Sequence, residues 1–492
     1  MTLLDFFDAA LADRSDALAV NDLTYAALDA GSLRVAYRLS ERRLRRGDRI
    51  ALYCENRIGF IFAYLAALRL GAIVVPVNVL YRAGELEHVL ADADVRLVMT
   101  SEVTRTHVDA LGGYSLIDAR EVESCALEAS DPPRRPRPAP GADDDALVVY
   151  TSGTTGRSKG AVLTHGNLAA IAAQLVVAWR WSANDTLYAA LPLFHIHGLG
   201  AALNGALTAG SRFIFDERFD AKRTIATLHR DDVTMFFGVP TMYVRLLEAL
   251  DAPPPSLRLC VSGSAALAPD VFSAFEARFG MQILERYGAT EFGYALGNRY
   301  AGPRIAGSVG VEMPGMRVRV ADRNTFATLP AGEVGELLVH GPTVCRGYWN
   351  NPVATAEAFV TDDAGTRWFK SGDLAEYDAA QEVYRIVGRL KELIITGGFN
   401  VYPLEVENEL NRCPGVIASA VVGFPDPARG ELPVAFVEAS GHVDPESLRV
   451  ALGARLASFK IPRAIHVVDA LPRNALGKVE KHRLRALVPE ET

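Results

Sequence analysis

Residues 146–160, ALVVYTSGTTGRSKG, join a run of apolar side chains to a loop of glycines and hydroxyls. An apolar run of this length, bounded by a turn signal, reads as a strand buried on both faces, and such strands occur where helices cover a parallel sheet. That reading constrains the whole chain. Upstream, Thr24 can cap a helix through Arg43, RIALYC (49–54) and IVVPV (73–77) read as strands, AGELEHVLADAD (83–94) as a helix and VRLVMT (95–100) as a strand. Downstream come a helix from about Asn167, a strand at LRLCVSG (257–263), a helix at APDVFSAFEARFG (268–280) and a strand at MQILERYG (281–288). The fold class is α/β, and loops that carry function are expected at the carboxyl ends of the strands.

With 492 residues, the chain exceeds one ordinary core. SDPPRRPRPAPGADDD (130–145) has too many prolines and charges to build a core element, so it reads as an exposed connector. From about Val387 the pattern changes, and the last hundred residues read as a small α+β unit. A boundary at Arg389–Lys391 divides a large domain, 1–388, from a small one, 389–492. The tract IGFIFAYLAALRLGAIVVPVNVL (58–80) is long enough to span a bilayer, yet Arg69, Gly71, Pro76 and Asn78 interrupt it. A buried helix followed by a strand accounts for it better. A net charge of −8 gives no general attraction to nucleic acid or to an anionic membrane. Five cysteines without a C-x-x-C pair argue against disulfides and zinc, and the residues after Met1 lack the basic region of a signal peptide, so a cytoplasmic protein is expected.

The loop at 150–160 offers main-chain N–H groups, hydroxyls, Arg157 and Lys159 to a polyphosphate, although a plain surface turn would have the same composition. It departs from the usual phosphate loop, because Ser158 stands where the second glycine would fall. Five further stretches share its character: LPLFHIHG (191–198), VSGSAAL (261–267), ERYGATE (285–291), KSGDLA (370–375) and PRNALGKV (472–479). Each lies at or near an expected strand end and is rich in small or hydroxylated residues. Most carry one or two ionisable groups without an evident packing role.

In this order and spacing, over essentially the whole chain, the six stretches resemble the acyl-adenylate-forming superfamily of AMP-dependent synthetases and ligases. The resemblance implies a large domain of stacked sheets with flanking helices, binding ATP and the acyl substrate, and a small mobile C-terminal domain. It assigns the β- and γ-phosphates of ATP to Thr151, Ser152, Gly153, Thr154, Thr155 and Lys159, the α-phosphate to Thr290 and Mg2+ to Glu291. It takes Gly263, Ser264 and Ala265 past the adenine ring and includes Tyr287 and Gly288 in the nucleotide site. Asp373 becomes the ribose-hydroxyl acceptor, with Arg389 supporting ribose or phosphate. Lys478 contacts the attacking carboxylate and the α-phosphate, Lys391 is the hinge, and Gly397 and Gly398 line the tunnel for the pantetheine of coenzyme A. His195 is implied at the acyl pocket. His197, two residues on and expected on the same strand face, is read as packing, since no acid or cysteine nearby completes a metal site.

The chemistry explains the residue types. A carboxylate attacking the α-phosphorus of ATP brings an anion to a polyanion, so charge must be neutralised and the attack held in line. A thiol, supplied by coenzyme A, then takes the acyl group. ERYGATEFGYALGNRYAGPRIAGSVG, GVPTMYVRLL and LPLFHIHGLGAAL look most like malonyl-CoA synthetases within the superfamily. A dicarboxylate needs a cation for its spare carboxylate; Arg245 and Arg299 are the first candidates and Arg286 is in reserve. Ala289 and Gly297 depart from the common pattern and bear on pocket size. The alternatives are a ligase for a short-chain or aryl monocarboxylic acid, a stand-alone adenylation enzyme loading a carrier protein, and a nucleotide-binding protein without catalysis. The expected partners are small molecules (the acid, ATP and coenzyme A), with no nucleic acid and no membrane span, in a monomer or homodimer.

Overall fold

A computed structural model describes residues 1–151, 157–230, 232–250, 252–474 and 477–487. The chain forms two compact units, Met1–Val318 with Val339–Phe369, and Arg319–Leu338 with Lys370–Thr492.

Helix Tyr25–Glu41 of the first unit begins where the Thr24 hydroxyl accepts the Ala27 N–H at 3.1 Å. The long apolar tract resolves into helix Ile58–Leu70 and strand Ile73–Pro76. That helix is apolar all round because it is covered all round, with helices Tyr25–Glu41 and Ala119–Ala126 against it. Its single cation, Arg69, is buried against Asp29 and Asp8. Among the described residues no helix is long and apolar enough to cross a membrane. The connector before Asp145 is largely exposed and free of helix and strand.

Among the described residues, two sheets lie wholly within this unit. In one, the strands run in the order Gly347–Tyr348, Lys159–Thr164, Asp145–Thr151, Ile73–Pro76, Arg49–Tyr53, Val95–Thr100, Ser115–Asp118. The other contains the parallel neighbours Thr186–Ala189, Met235–Gly238, Leu259–Ser262 and Leu284–Ala289, so their carboxyl ends share one edge. Gly293–Gly297 then pairs antiparallel with Leu284–Ala289. In the second unit, Gly430–Ala439 lies between Val416–Asp426 and the short hairpin Ile394–Thr396/Phe399–Val401, and Ala464–Val468 joins it in parallel. Helices Pro403–Asn411 and Pro445–Gly453 contribute Val406, Leu410, Leu448 and Leu452 to the core on this sheet. The architecture is the expected one, a large α/β domain of sheets and helices with a smaller C-terminal domain.

His165 opens helix His165–Ala178, two residues before the expected start, because Thr164 and Asn167 form a reciprocal cap. The imidazole is fully buried, and among the described residues neither ring nitrogen has a hydrogen-bond partner. Burial, only partly opposed by Asp144, lowers its pKa from 6.5 to about 4. A base depressed in the fold favours the native state in full above its unfolded pKa, and that contribution is lost as pH falls from about 6.5 towards 4. Urea unfolding followed from neutral to mildly acidic pH is expected to show His165→Asn losing less stability than the native chain, by up to about 3 kcal/mol. Parallel pH dependences would remove the assignment.

Candidate active site

The shared carboxyl edge of the second sheet gathers three of the predicted loops. Leu259–Ser262 runs into Gly263, Ser264 and Ala265; Leu284–Ala289 carries Arg286, Tyr287 and Gly288 and runs into Thr290 and Glu291; and Thr186–Ala189 leads to His195 and His197. The two histidines are not on a strand as expected. Pro192, unable to donate to a ladder, starts a turn in which the His195 N–H bonds the Pro192 carbonyl, and His197 begins the wide-turn helix His197–Leu203. The turn places His197 Nδ1 3.2 Å from Ser264 Oγ, and His195 Nδ1 accepts the His197 N–H at 3.1 Å.

Arg286 lies beneath these loops, 6% exposed, with its guanidinium 4.3 Å from the centroid of the Tyr294 ring. Among the described residues its Nε and Nη2 have no hydrogen-bond partner, nor have Nε2 of His197 and Oγ of Ser262. A Cβ at Gly263 would stand 2.3 Å from the guanidinium carbon, so the glycine makes room for the cation. Gly288 is likewise a packing requirement, since a Cβ there would fall 1.9 Å from the Gly293 carbonyl oxygen. Burial lowers the pKa of Arg286; burial followed by the Arg286 charge lowers that of His195 to about 4 and that of His197 well below its ordinary range. Both imidazoles are therefore neutral at physiological pH, and Arg286 is a buried cation with donors unfilled among the described residues. Arg245, on helix Pro240–Ala249, and Arg299 are both exposed.

Across from this edge, strand Asp145–Thr151 ends at the glycine loop, whose residues Ser152, Gly153, Thr154 and Thr155 lie outside the described residues. Thr151 Oγ1 donates to Glu291 Oε1 at 3.0 Å and so ties the ends of the two sheets together. Tyr348 was not singled out by sequence. Its hydroxyl also reaches Glu291 Oε1, at 3.3 Å, while the Lys159 ammonium lies 5.3 Å from the centroid of its ring. The tyrosine stands there because Gly347–Tyr348 pairs with strand Lys159–Thr164, a non-local pairing that RGYWN does not announce. One carboxylate with hydroxyls around it is the hard-oxygen set that Mg2+ takes when substrate phosphates supply its other ligands. Glu285, the neighbour of Arg286, was also passed over. It accepts the Leu267 N–H at 3.0 Å, and burial pushes its carboxyl up to about 8.

In the second unit, Asp373 lies within strand Arg367–Asp378 rather than at a strand end, directly opposite Arg389 on Val383–Arg389. Its Oδ1 is 3.0 Å from Arg389 Nε. Gly372 beside it has φ +69°, and its N–H donates to the buried Glu336. Lys391 occupies the short 3-10 turn Leu390–Glu392, and Gly397 and Gly398, both at positive φ, make the two-residue turn of the Ile394–Val401 hairpin. Lys478 sits in a loop closed by Asn474, which accepts the Lys478 N–H through Oδ1 at 3.1 Å and bonds its carbonyl at 2.9 Å. The residue as a whole is exposed, yet desolvation of its ammonium and then Arg389 lower its pKa, with Glu392 and Asp373 opposing.

Comparison with known proteins agrees with this arrangement. Residues 7–349 match the family model described as AMP-binding enzyme, and residues 405–478 match the AMP-binding enzyme C-terminal domain. A feruloyl-CoA synthase from Amycolatopsis sp is 37% identical over 477 residues, covering 94% of this chain and 93% of the relative. A sulfoacetate–CoA ligase from Cupriavidus necator is 36% identical (94% and 92% covered), and the mitochondrial malonate–CoA ligase ACSF3 from Homo sapiens is 33% identical (89% and 83%). The crystal structure of ATP-bound MatB from Rhodopseudomonas palustris superposes with a TM-score of 0.91 at 37% identity, covering 99% of both chains. The chain belongs to the AMP-binding enzyme family and is an acyl-CoA synthetase, joining a carboxylic acid to coenzyme A through an acyl-adenylate with ATP and Mg2+.

Proposed function

We propose that the acid is malonate or a comparably small acid with a second anionic group. The observation that carries this reading is the buried guanidinium of Arg286, whose Nε and Nη2 face no acceptor. Burying a cation without a partner costs several kcal/mol, and a fold bears that cost where a ligand supplies the anion. The resemblance to malonate–CoA ligase and sulfoacetate–CoA ligase, whose acids carry two anionic groups, supports it.

In this reading Arg286 holds the spare carboxylate, and the neutral His195 and His197 line the acyl pocket. Ser264, fixed by His197, shapes the turn that passes the adenine, with Gly263, Ala265, Tyr287 and Gly288 around it. Asp373 accepts from the ribose hydroxyls and Arg389 orients Asp373. Thr151, Lys159 and the glycine loop take the β- and γ-phosphates, and Thr290 faces the α-phosphate. Glu291 would hold Mg2+, which offsets phosphate charge. An oxygen of the free carboxylate attacks the α-phosphorus, the bond to the leaving pyrophosphate breaks, and Lys478 neutralises the charge shared by attacking and equatorial oxygens. The small domain then turns about Lys391. Gly397 and Gly398 admit the thiol, its sulfur bonds the acyl carbon, AMP leaves, and the thiol proton passes to solvent.

The resemblance to feruloyl-CoA synthase favours a second reading, an aryl monocarboxylate. Acid-dependent AMP release with coenzyme A, measured for malonate, methylmalonate, sulfoacetate, propionate and ferulate, decides between them. Malonate is expected to exceed propionate in kcat/KM by on the order of 10²-fold. Ferulate or propionate turning over as well as malonate would overturn the proposal.

A further inference from the structure

Among the described residues, Asn474 closes the loop that carries Lys478, Arg473 and Val479 bridge its base, and the Arg473 guanidinium reaches Glu438 Oε2 at 3.3 Å. What ties this loop to the hinge side of the same unit lies three residues further on. The Lys481 ammonium is 2.8 Å from Oε2 of Glu392 and 2.8 Å from Oε1 of Glu407. Glu392 directly follows Lys391 in the turn Leu390–Glu392. Glu407 belongs to helix Pro403–Asn411, and its Oε1 also accepts the Val421 N–H at 2.7 Å. The three side chains are 19%, 28% and 11% exposed, so solvent screens the cluster little.

We propose that Lys481 is a positioning residue for adenylation, fixing the Lys478 loop to the turn that carries Lys391 through Glu392 and to the sheet core through Glu407. The proposal rests on the role given to Lys478 above. Hydrophobic contacts already attach this segment: Leu471 and Leu484 are buried, and Val479 packs against the same cluster. A buried ion pair adds little stability beyond such packing, since desolvation consumes most of its Coulombic gain. What it adds is geometry. Greasy contacts tolerate sliding, whereas an ammonium shared between two carboxylates from separate elements accepts one arrangement. A misplacement of about 1 Å at a reacting centre costs on the order of 10²-fold in rate. With the clamp in place, any turn of the small domain about Lys391 carries Lys478 as part of a rigid body.

The test uses the full-length enzyme and separates the half-reactions. Acid-dependent pyrophosphate exchange reads adenylation, thioester formation from supplied acyl-adenylate reads the second step, and thermal melting reads the fold. Lys481→Met and Glu392→Gln, the latter keeping the Lys481–Glu407 pair, are expected to lower exchange by about 10- to 100-fold while the second step stays within about threefold. Lys481→Arg is expected to restore most of the exchange. Equal loss of both steps together with a lowered melting temperature would reduce Lys481 to a structural residue and overturn the proposal, as would unchanged exchange in a folded Lys481→Met. Lys478→Ala serves as the control: if it leaves exchange intact, the reading of Lys478 has failed; if it abolishes exchange and Lys481→Met does not, the clamp alone has failed.

Discussion

Lys478→Ala is expected to lower acid-dependent pyrophosphate exchange by on the order of 10²–10³-fold, the usual loss when a preorganised charge is withdrawn from a transition state. The lysine stands in a set of charges in which Arg389 repels it while Glu392 and Asp373 attract it, so its position is fixed as much by neighbours as by its own stem. Thioester formation from supplied acyl-adenylate is expected to persist, because the α-phosphorus has by then already been attacked. ATP affinity is expected to change little, since the residues proposed to bind the nucleotide are untouched. Loss of both steps in equal measure would show that the substitution acts through folding rather than through the attacking carboxylate.

Arg286→Met is expected to be the largest change in specificity. Methionine fills much of the space and removes the charge, so malonate kcat/KM should fall by on the order of 10²–10³-fold, the cost of leaving a buried carboxylate unpaired. Propionate, which lacks that carboxylate, should lose less than about threefold. The melting temperature of the free enzyme should not fall and is expected to rise, because an unpartnered buried cation opposes folding. Equal losses for malonate and propionate would refute the assignment. Gly263→Ala probes the same contact from the other side, as its methyl group would collide with the guanidinium.

Much of the fold was legible because strand and helix periods are local. RIALYC, IVVPV and VRLVMT appear as strands, and Thr24 caps its helix by a hydrogen bond spanning three residues. The order of strands was not legible, since pairing such as Gly347–Tyr348 with Lys159–Thr164 joins segments far apart in sequence, and with it Tyr348 escaped notice. The stretches proposed for the nucleotide stood out because small and hydroxylated residues cluster visibly. The exposure of the arginines was not legible: Arg245 stands on an apolar helix pattern that suggests burial, yet its position on that helix faces solvent, whereas Arg286, in a polar-looking stretch, is buried. Side-chain exposure depends on what packs over an element, and a period of 3.6 or 2 does not report it. The strand reading of His195 and His197 failed for a similar reason, since one proline converts an alternating pattern into a turn.

The unfilled donors of Arg286 have a practical corollary for handling the enzyme. On the role proposed for Arg286, chloride and acetate compete with the acid for the same guanidinium, so the choice of buffer salt becomes part of every kinetic constant. Apparent Michaelis constants for the acid should climb with the concentration of small monovalent anions, and a bulky counter-ion should leave them unaltered. Binding of the acid alone, without nucleotide, should also protect the protein against heat, which makes thermal shift a test of the proposed ligand.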